Sequence, residues 1–191
     1  MARELEFVAA SVLIGGGATV AMDLWLLLLR RGLGVRTLDY AMLGRWLGHL
    51  PRGTFAHENI AKTRPVRGEL LIGWCAHYAI GITFAALLLA ISGLDWARSP
   101  SVMPALVTGL VTVAAPLFVL QPALGAGIAS SKAPNPSAAR LRSVLTHAVY
   151  GLGLYASARL WAALLCESRC QEILISTRAA GRAGVDIRTP P

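Results

Sequence analysis

The chain has 191 residues, of which 55% are hydrophobic and only 15% are charged. Soluble domains average about 45–50% apolar and about 25% charged residues, so the apolar excess is large. The composition excludes a disordered chain, a coiled coil, a disulfide-stapled secreted module and an ordinary cytosolic enzyme. Because the apolar residues are gathered in long runs, the sequence indicates a protein that crosses a membrane several times.

The formal net charge is +8, with 18 basic against 10 acidic residues. On a soluble chain this excess would favour a nucleic-acid partner. Here the basic residues cluster between the apolar runs, as topology signals do, so we expect the lipid bilayer and no nucleic acid as partner. The three cysteines, Cys75, Cys166 and Cys170, form no zinc motif because no second closely spaced pair exists.

Four segments are apolar over the length of about 20 residues that a membrane-spanning helix needs. They predict an all-α fold, a four-helix transmembrane bundle, with spans at about 7–29, 70–91, 102–120 and 144–165. The first run has no polar segment at its end, and Glu4 and Glu6 stand where a secretory signal carries positive charge. We therefore expect an uncleaved first span.

Proline and glycine mark the edges and interruptions of these helices. Pro116 lies inside the third apolar run and predicts a kink there. Asn135 followed by Pro136 predicts the capped start of the last helix. The membrane domain is predicted to cover residues 1–165. From Cys166 onward the apolar pattern is lost, which predicts a flexible C-terminal tail over residues 166–191.

The first connection, residues 30–69, is too long and too patterned to be a plain linker. Leu38, Met42, Trp46 and Leu50 are spaced four apart, so they would share one face of a helix. This pattern predicts a short interfacial helix on the cytoplasmic side. The alternative is a helix that packs over the bundle.

The distribution of Lys and Arg predicts the orientation. Residues 30–69 carry eight of them, and the third connection adds Lys132, Arg140 and Arg142. The segment before the first span has only Arg3, and the second connection only Arg98. Cytoplasmic loops carry the positive excess, so the first and third connections are predicted to be cytoplasmic and the N-terminus outside. The mixed charges of the tail leave its side open.

Ionisable side chains at membrane depth are costly, so each is a candidate functional residue. Asp23, His77 and His147 are predicted to lie roughly 5–10 Å below the same membrane surface, counted along their helices. Small residues share their helical faces, which indicates that they point into the bundle. Further polar residues are predicted near this cluster: His49, His57, Glu69 and Gln121.

Carboxylate and imidazole groups allow three kinds of chemistry in this cluster. They could bind a divalent metal at Asp23, His77 and His147, since both groups are zinc and iron ligands. They could relay protons, because histidine titrates near neutrality. They could also simply tie helices together. No zincin, Rossmann, P-loop or serine-elbow motif occurs, so the sequence leaves enzymatic activity and any cofactor open.

Three functional hypotheses remain at this point. The first is a binding or catalytic membrane protein that uses the cluster to hold a metal or a small ligand. The second is a small transporter or permease component. It would be a homo-oligomer, most simply a dimer, because four helices are few for a solute path. The third is a structural or assembly protein without chemistry of its own.

Four stretches of sequence carry a family resemblance. They are "MDLWLLLLRR" at 22–31, "GRWLGHLPRGTF" at 44–55, "GWCAHYAIG" at 73–81 and "PNPSAARLRSVLTHAVYGLGLY" at 134–155. The chain resembles, from about residue 7 to residue 165, a family of small bacterial integral-membrane proteins, domain of unknown function 2938. The resemblance implies a bacterial four-span protein of the inner membrane and carries no activity with it.

Overall fold

The long apolar runs form helices in the computed structural model, which describes residues 1–34, 37 and 39–183. The α-helices are α1 (Ala2–Leu33), α2 (Tyr40–His49), α3 (Glu69–Ser92), α4 (Leu94–Arg98), α5 (Val102–Thr112), α6 (Gln121–Ala123) and α7 (Pro136–Ala183). Within the described residues there is no strand, so the predicted all-α fold is confirmed.

In the part of the chain that the structure describes, four helical segments are long and apolar enough to cross a membrane, and each contains one predicted span. They are Arg3–Leu33, Glu69–Ser92, Val102–Ala123 and Pro136–Glu167. Helix α7 continues beyond the last span to Ala183. The end of the predicted flexible tail, residues 184–191, lies outside the described residues, and the flexibility of the tail stays a prediction.

The third spanning segment is interrupted where the sequence places a proline. Helix α5 ends at Thr112, and a π turn covers Pro116–Leu120 before the short α6. Pro116 has no N–H for the helical ladder, so the hydrogen-bond pattern has to change around it. The regular α-helix is thus interrupted at the proline, and a kink there stays a prediction.

Helix α7 starts as predicted. The Asn135 side chain accepts a hydrogen bond of 3.1 Å from the backbone N–H of Ala138. This satisfies one of the free N–H groups of the first turn.

Small residues allow the helices to pack closely. Helix α1 lies against α3 and α7, and α5 lies against α7. A Cβ atom at Gly15 would lie 2.6 Å from the Cα of Ile82, and one at Gly153 would lie 2.9 Å from the Cα of Ala18. In lipid, where apolar burial drives little association, such close backbone approach is a main source of helix–helix stability.

The core lies where these helices meet, and the outward faces are apolar. Ile14, Leu89 and Leu154 are the largest fully buried apolar side chains, one from each of α1, α3 and α7. Large apolar side chains on the outside remain exposed, including Leu28 at 66% and Val111 at 66%. Such faces suit contact with lipid tails.

Helix α2 is the short helix predicted for the first connection. Asp39 caps it by accepting a hydrogen bond of 2.9 Å from the backbone N–H of Ala41. Its buried residues are Leu43 and Gly44, and it packs on α3. The first residue of the predicted apolar stripe, Leu38, lies outside the described residues. The position of α2 on α3 brings the first connection over the polar groups of the spans.

Candidate functional site

Asp23 of α1 and His77 of α3 form a direct contact within the spanning helices. Nε2 of His77 lies 2.9 Å from Oδ1 of Asp23. The two side chains are largely enclosed, with exposed fractions of 10% for His77 and 18% for Asp23. The structure thus joins two of the three residues that the sequence places at the same membrane depth.

Two tyrosines complete this contact, and sequence reasoning missed both as partners of Asp23. Tyr40 of α2 donates a hydrogen bond of 2.8 Å to Oδ1 of Asp23, and Tyr78 donates one of 3.1 Å to Oδ2. The Tyr40 hydroxyl also lies 3.0 Å from Nε2 of His77. We call these four residues the Asp23 site. A carboxylate with several donors makes short, charge-assisted hydrogen bonds.

Aromatic rings surround the Asp23 site on the side of α2. The ring of Tyr40 stacks on that of His77, with centroids 4.3 Å apart and an interplanar angle of 28°. Trp74 lies with its centroid 4.4 Å from that of Tyr40, and it is 38% exposed. The polar atoms are therefore covered by rings, and part of the Trp74 ring stays accessible.

The hydrogen bonds indicate which side chains of the Asp23 site can carry a charge. Burial, and to a lesser extent the nearby Asp23 carboxylate, raise the pKa of Tyr40, so Tyr40 is a neutral donor. When Nε2 of His77 donates to Asp23, Nδ1 is the ring nitrogen left to accept a proton. Counted with an ionised Asp23, the four side chains carry one negative charge when His77 is neutral and no net charge when His77 carries a second proton.

Glu69 forms an ion pair with Arg45 and is not part of the Asp23 site. Arg45 of α2 donates from Nε and Nη2 to the two carboxylate oxygens of Glu69, at 2.9 and 2.7 Å. Nη1 of Arg45 donates to the carbonyl oxygens of Ile60 and Thr63, both at 3.1 Å. This pair ties α2, the following loop and the start of α3 together.

His147 lies on α7 and bonds to α5 instead of to Asp23. Its Nδ1 lies 3.1 Å from the hydroxyl oxygen of Thr112. Gln121 makes a further separate group, because its amide donates to Ser143 at 3.3 Å and accepts from Ser130 at 2.8 Å. The depth predicted for these residues stays a prediction, and in the structure they bond to neighbours other than Asp23.

His49 and His57 pair with each other in the first connection. Their ring centroids are 5.3 Å apart. The backbone N–H of His57 donates to the carbonyl oxygen of Ala123 at 2.9 Å, so the first connection docks on the third. Burial, and then the nearby His49, lower the pKa of His57.

The predicted cluster of seven residues is thus divided among separate hydrogen-bonded groups. Nowhere in residues 1–34, 37 and 39–183 do three His, Cys, Asp or Glu side chains come together so that they could hold a metal ion. The metal at Asp23, His77 and His147 stays a prediction that this geometry does not support. Tyr78 could have been found as the neighbour of His77, whereas Tyr40 depends on where the loop helix docks.

Comparisons with known proteins place the chain in a family. No curated protein and no solved structure matches the chain. One family model, described as proteins of unknown function (DUF2938), matches residues 12–161. This range includes the whole Asp23 site and the Arg45–Glu69 pair, and it confirms the resemblance seen in the sequence. The chain belongs to the DUF2938 family of proteins of unknown function.

Proposed function

We propose that the chain is a multi-pass protein of the bacterial inner membrane, with its first and third connections in the cytoplasm and its N-terminus outside. The support is the contrast between eight Lys and Arg in residues 30–69 and a single Arg98 between the second and third spans. In this orientation the Asp23 site lies near the cytoplasmic surface.

In our proposal, the Asp23 site holds either a proton on His77 or a cationic ligand beside Asp23, but not both together. The observation that carries this proposal is one carboxylate held by three donors, Tyr40, His77 and Tyr78, none of which needs a charge to donate. A net charge of −1 at membrane depth is costly, so the site favours a compensating positive charge. A proton on His77 supplies it, and a cationic ligand beside Asp23 supplies it equally. The two therefore compete.

The aromatic surroundings favour an organic cation as the ligand. Ring faces attract ammonium-type cations, most strongly where water is excluded. Trp74 is partly exposed beside Tyr40 and so can meet a ligand that arrives along α3. A lipophilic cation suits this position because it can reach the site through the apolar phase. The proposed function is then the proton-linked binding of a small organic cation. If the protein also transports the cation, a homodimer would provide the second set of helices that a solute path needs.

Calorimetry on the full chain in detergent tests the proposal, with tetraphenylphosphonium as the probe. We expect binding that is at least about tenfold tighter at high pH than at low pH, which corresponds to about 1.4 kcal/mol. Titrations in two buffers of different ionisation enthalpy should show that a proton is released when the cation binds.

Asp23→Asn should abolish binding. Asp95→Asn makes the same chemical change at an exposed carboxylate and should leave binding intact. Binding that survives Asp23→Asn contradicts the proposal.

A structural role is the second candidate, because Asp23 is satisfied by donors from α2 and α3 without any ligand. In that case Asp23→Leu/His77→Leu, made together with Tyr40→Phe and Tyr78→Phe so that no hydroxyl loses its acceptor, should keep the thermal stability of the protein, since a complete buried polar group can be exchanged for apolar contacts. A stable variant of this kind, together with no cation binding by the natural chain, would favour this role over the first.

The predicted metal at Asp23, His77 and His147 can be tested on the same preparations. Zinc chloride should raise the midpoint of thermal unfolding if these residues bind the ion, since a ligand of the folded state stabilises it. His147→Ala should remove that rise without changing cation binding. No rise in the natural chain would remove the metal hypothesis.

A further inference from the structure

A second group of charged residues lies at the end of the bundle opposite Asp23. Glu6 precedes Asp23 on α1 by a distance of about 25 Å along the helix axis. Arg98 of α4 donates to Glu6 from Nη2 at 2.8 Å and from Nε at 3.1 Å, and to Asp95 from Nη1 at 3.1 Å. These bonds hold the guanidinium of Arg98 in a fixed position over the start of α1.

Two cavities flank Arg98, and they differ in charge. One has a volume of about 470 Å³, and its lining residues are Arg3, Glu6, Leu94, Asp95 and Arg98. The other has a volume of about 410 Å³, and its lining residues are Arg98, Ser99, Pro100, Arg159, Ala162 and Ala163. Both carboxylates line the first cavity, and the lining of the second contains none. We call the second one the Arg159 cavity.

We propose that the Arg159 cavity binds the phosphate group of an anionic phospholipid. Arg159 presents a guanidinium group whose planar N–H pairs match phosphate oxygens. Arg98, whose N–H pairs are occupied by Glu6 and Asp95, adds a second positive charge at the edge of the cavity. Arg159 donates one long bond, 3.3 Å from Nη1 to the hydroxyl of Tyr155, which leaves its other N–H groups for a ligand. The hydroxyl of Ser99 adds a neutral donor at the edge of the cavity.

The surroundings favour a phosphate that carries acyl chains over free inorganic phosphate. Leu160 and Leu164, next to the cavity residues on α7, are exposed to 69% and 58%. Met103, at the start of α5, is exposed to 64%. Acyl chains would cover the exposed apolar side chains while the phosphate meets the arginines.

Native mass spectrometry of the full chain tests this site with dioleoyl phosphatidylglycerol as the probe. We expect one lipid bound to the natural chain and at least about tenfold weaker binding to Arg159→Gln. That variant keeps the Arg98–Glu6 pair and so should fold. Arg159→Lys should bind with intermediate affinity, because it keeps the charge without the planar fork. Arg31→Gln, which removes an exposed arginine at the opposite end of α1, should bind like the natural chain.

Two arms of the experiment can overturn the proposal. Equal binding by Arg159→Gln and Arg31→Gln would show that the lipid is not held at the Arg159 cavity. Displacement of the lipid by inorganic phosphate at the same concentration would show that the cavity takes a free anion and not a headgroup. The expected result is that inorganic phosphate displaces little lipid. Neither outcome depends on whether the Asp23 site binds a cation.

Discussion

Gly44 of α2 and Gly73 of α3 lie so close to the opposite helix that neither position has room for a Cβ atom. A Cβ at Gly44 would overlap the carbonyl oxygen of Glu69, and one at Gly73 would overlap that of Tyr40. This contact sets the position of α2 on α3, and so it places Tyr40 beside His77. The polar geometry of the Asp23 site therefore depends on two residues that carry no polar side chain.

Gly44→Ala should displace α2 and lower the stability of the protein. Forcing a methyl group into such a contact costs about 1–3 kcal/mol. The midpoint of thermal unfolding in mild detergent should fall, and cation binding should weaken because Tyr40 moves away from Asp23. Gly16→Ala is the matched control, since a Cβ there meets nothing within 4 Å. If both variants unfold at the same temperature, the close contact does not position α2.

Arg45→Ala should loosen the whole first connection. The change removes both bonds to the Glu69 carboxylate and those to the loop carbonyl oxygens, and the side chains involved are only 13% and 17% exposed. Leaving a largely enclosed carboxylate without its partner costs about 2–4 kcal/mol. Limited trypsin digestion should then cut faster after Lys62, in the loop that Arg45 holds.

Two further variants check the Arg45 prediction. Arg45→Lys should recover part of the protection, because it keeps the charge but cannot bond both carboxylate oxygens in the same way. Arg52→Ala, at an exposed position of the same connection, should leave the rate of cleavage after Lys62 unchanged. Equal rates for Arg45→Ala and Arg52→Ala would contradict the role of the ion pair.

Acid should weaken the docking of the first connection on the third through His57. Its Nε2 is buried and, within the described residues, has no hydrogen-bond partner. Burial, and then the charge of His49, lower the pKa of His57 from its ordinary value of 6.5. The unfolded loop thus binds more protons than the docked loop, so stability falls as the pH drops below that value.

Amide hydrogen exchange, expressed as protection factors, measures this pH effect. Protection of residues 57–63 should be high at about pH 7.5 and should decrease as the pH is lowered to about 5.5. His57→Phe keeps the burial and removes the titration, so its protection should not change with pH. His49→Gln should show a smaller change, because one of the two causes of the shift is gone. A full pH effect in His57→Phe would assign it to another group.

Local chemistry explains which features could be predicted from the sequence. The apolar runs, the interruption of the helix at Pro116 and the cap at Asn135 each depend on residues that are neighbours in the chain. The meeting of Asp23 and His77 follows from equal depth on two helices that pack together. Tyr40 could not be found in this way, because its place depends on how closely α2 approaches Gly73.

Depth along a helix does not determine which neighbour a side chain faces. His147 is predicted to lie at the same depth as Asp23, but it bonds to Thr112 of α5. Glu69 is predicted to lie at the edge of the same cluster, but it is held by Arg45. Rotation about the helix axis and the choice of adjacent helix come from packing, which the spacing of residues in one sequence does not encode.

A substitution at Tyr150 allows the packing of the bundle to be tested separately from the chemistry of the Asp23 site. Its hydroxyl donates a hydrogen bond of 2.6 Å to the carbonyl oxygen of Gly81, one turn after His77 on α3. Tyr150 is only 3% exposed. Tyr150→Phe removes that bond and keeps the ring. Since such bonds between spanning helices contribute about 0.6–1.7 kcal/mol, the unfolding midpoint should fall by a few degrees. Tyr155→Phe, which loses only the long bond from Arg159, should cost less.

Cation binding by Tyr150→Phe should equal that of the natural chain, because Tyr150 makes no hydrogen bond to Asp23, His77 or Tyr40 in the described structure. Asp23→Asn should show the opposite result for the cation, whose binding should be lost. The two variants together distinguish a site that binds a cation from a polar contact that only joins helices. If Tyr150→Phe lost the cation as completely as Asp23→Asn, binding would depend on the packing of α7 against α3 as a whole and not on the Asp23 carboxylate.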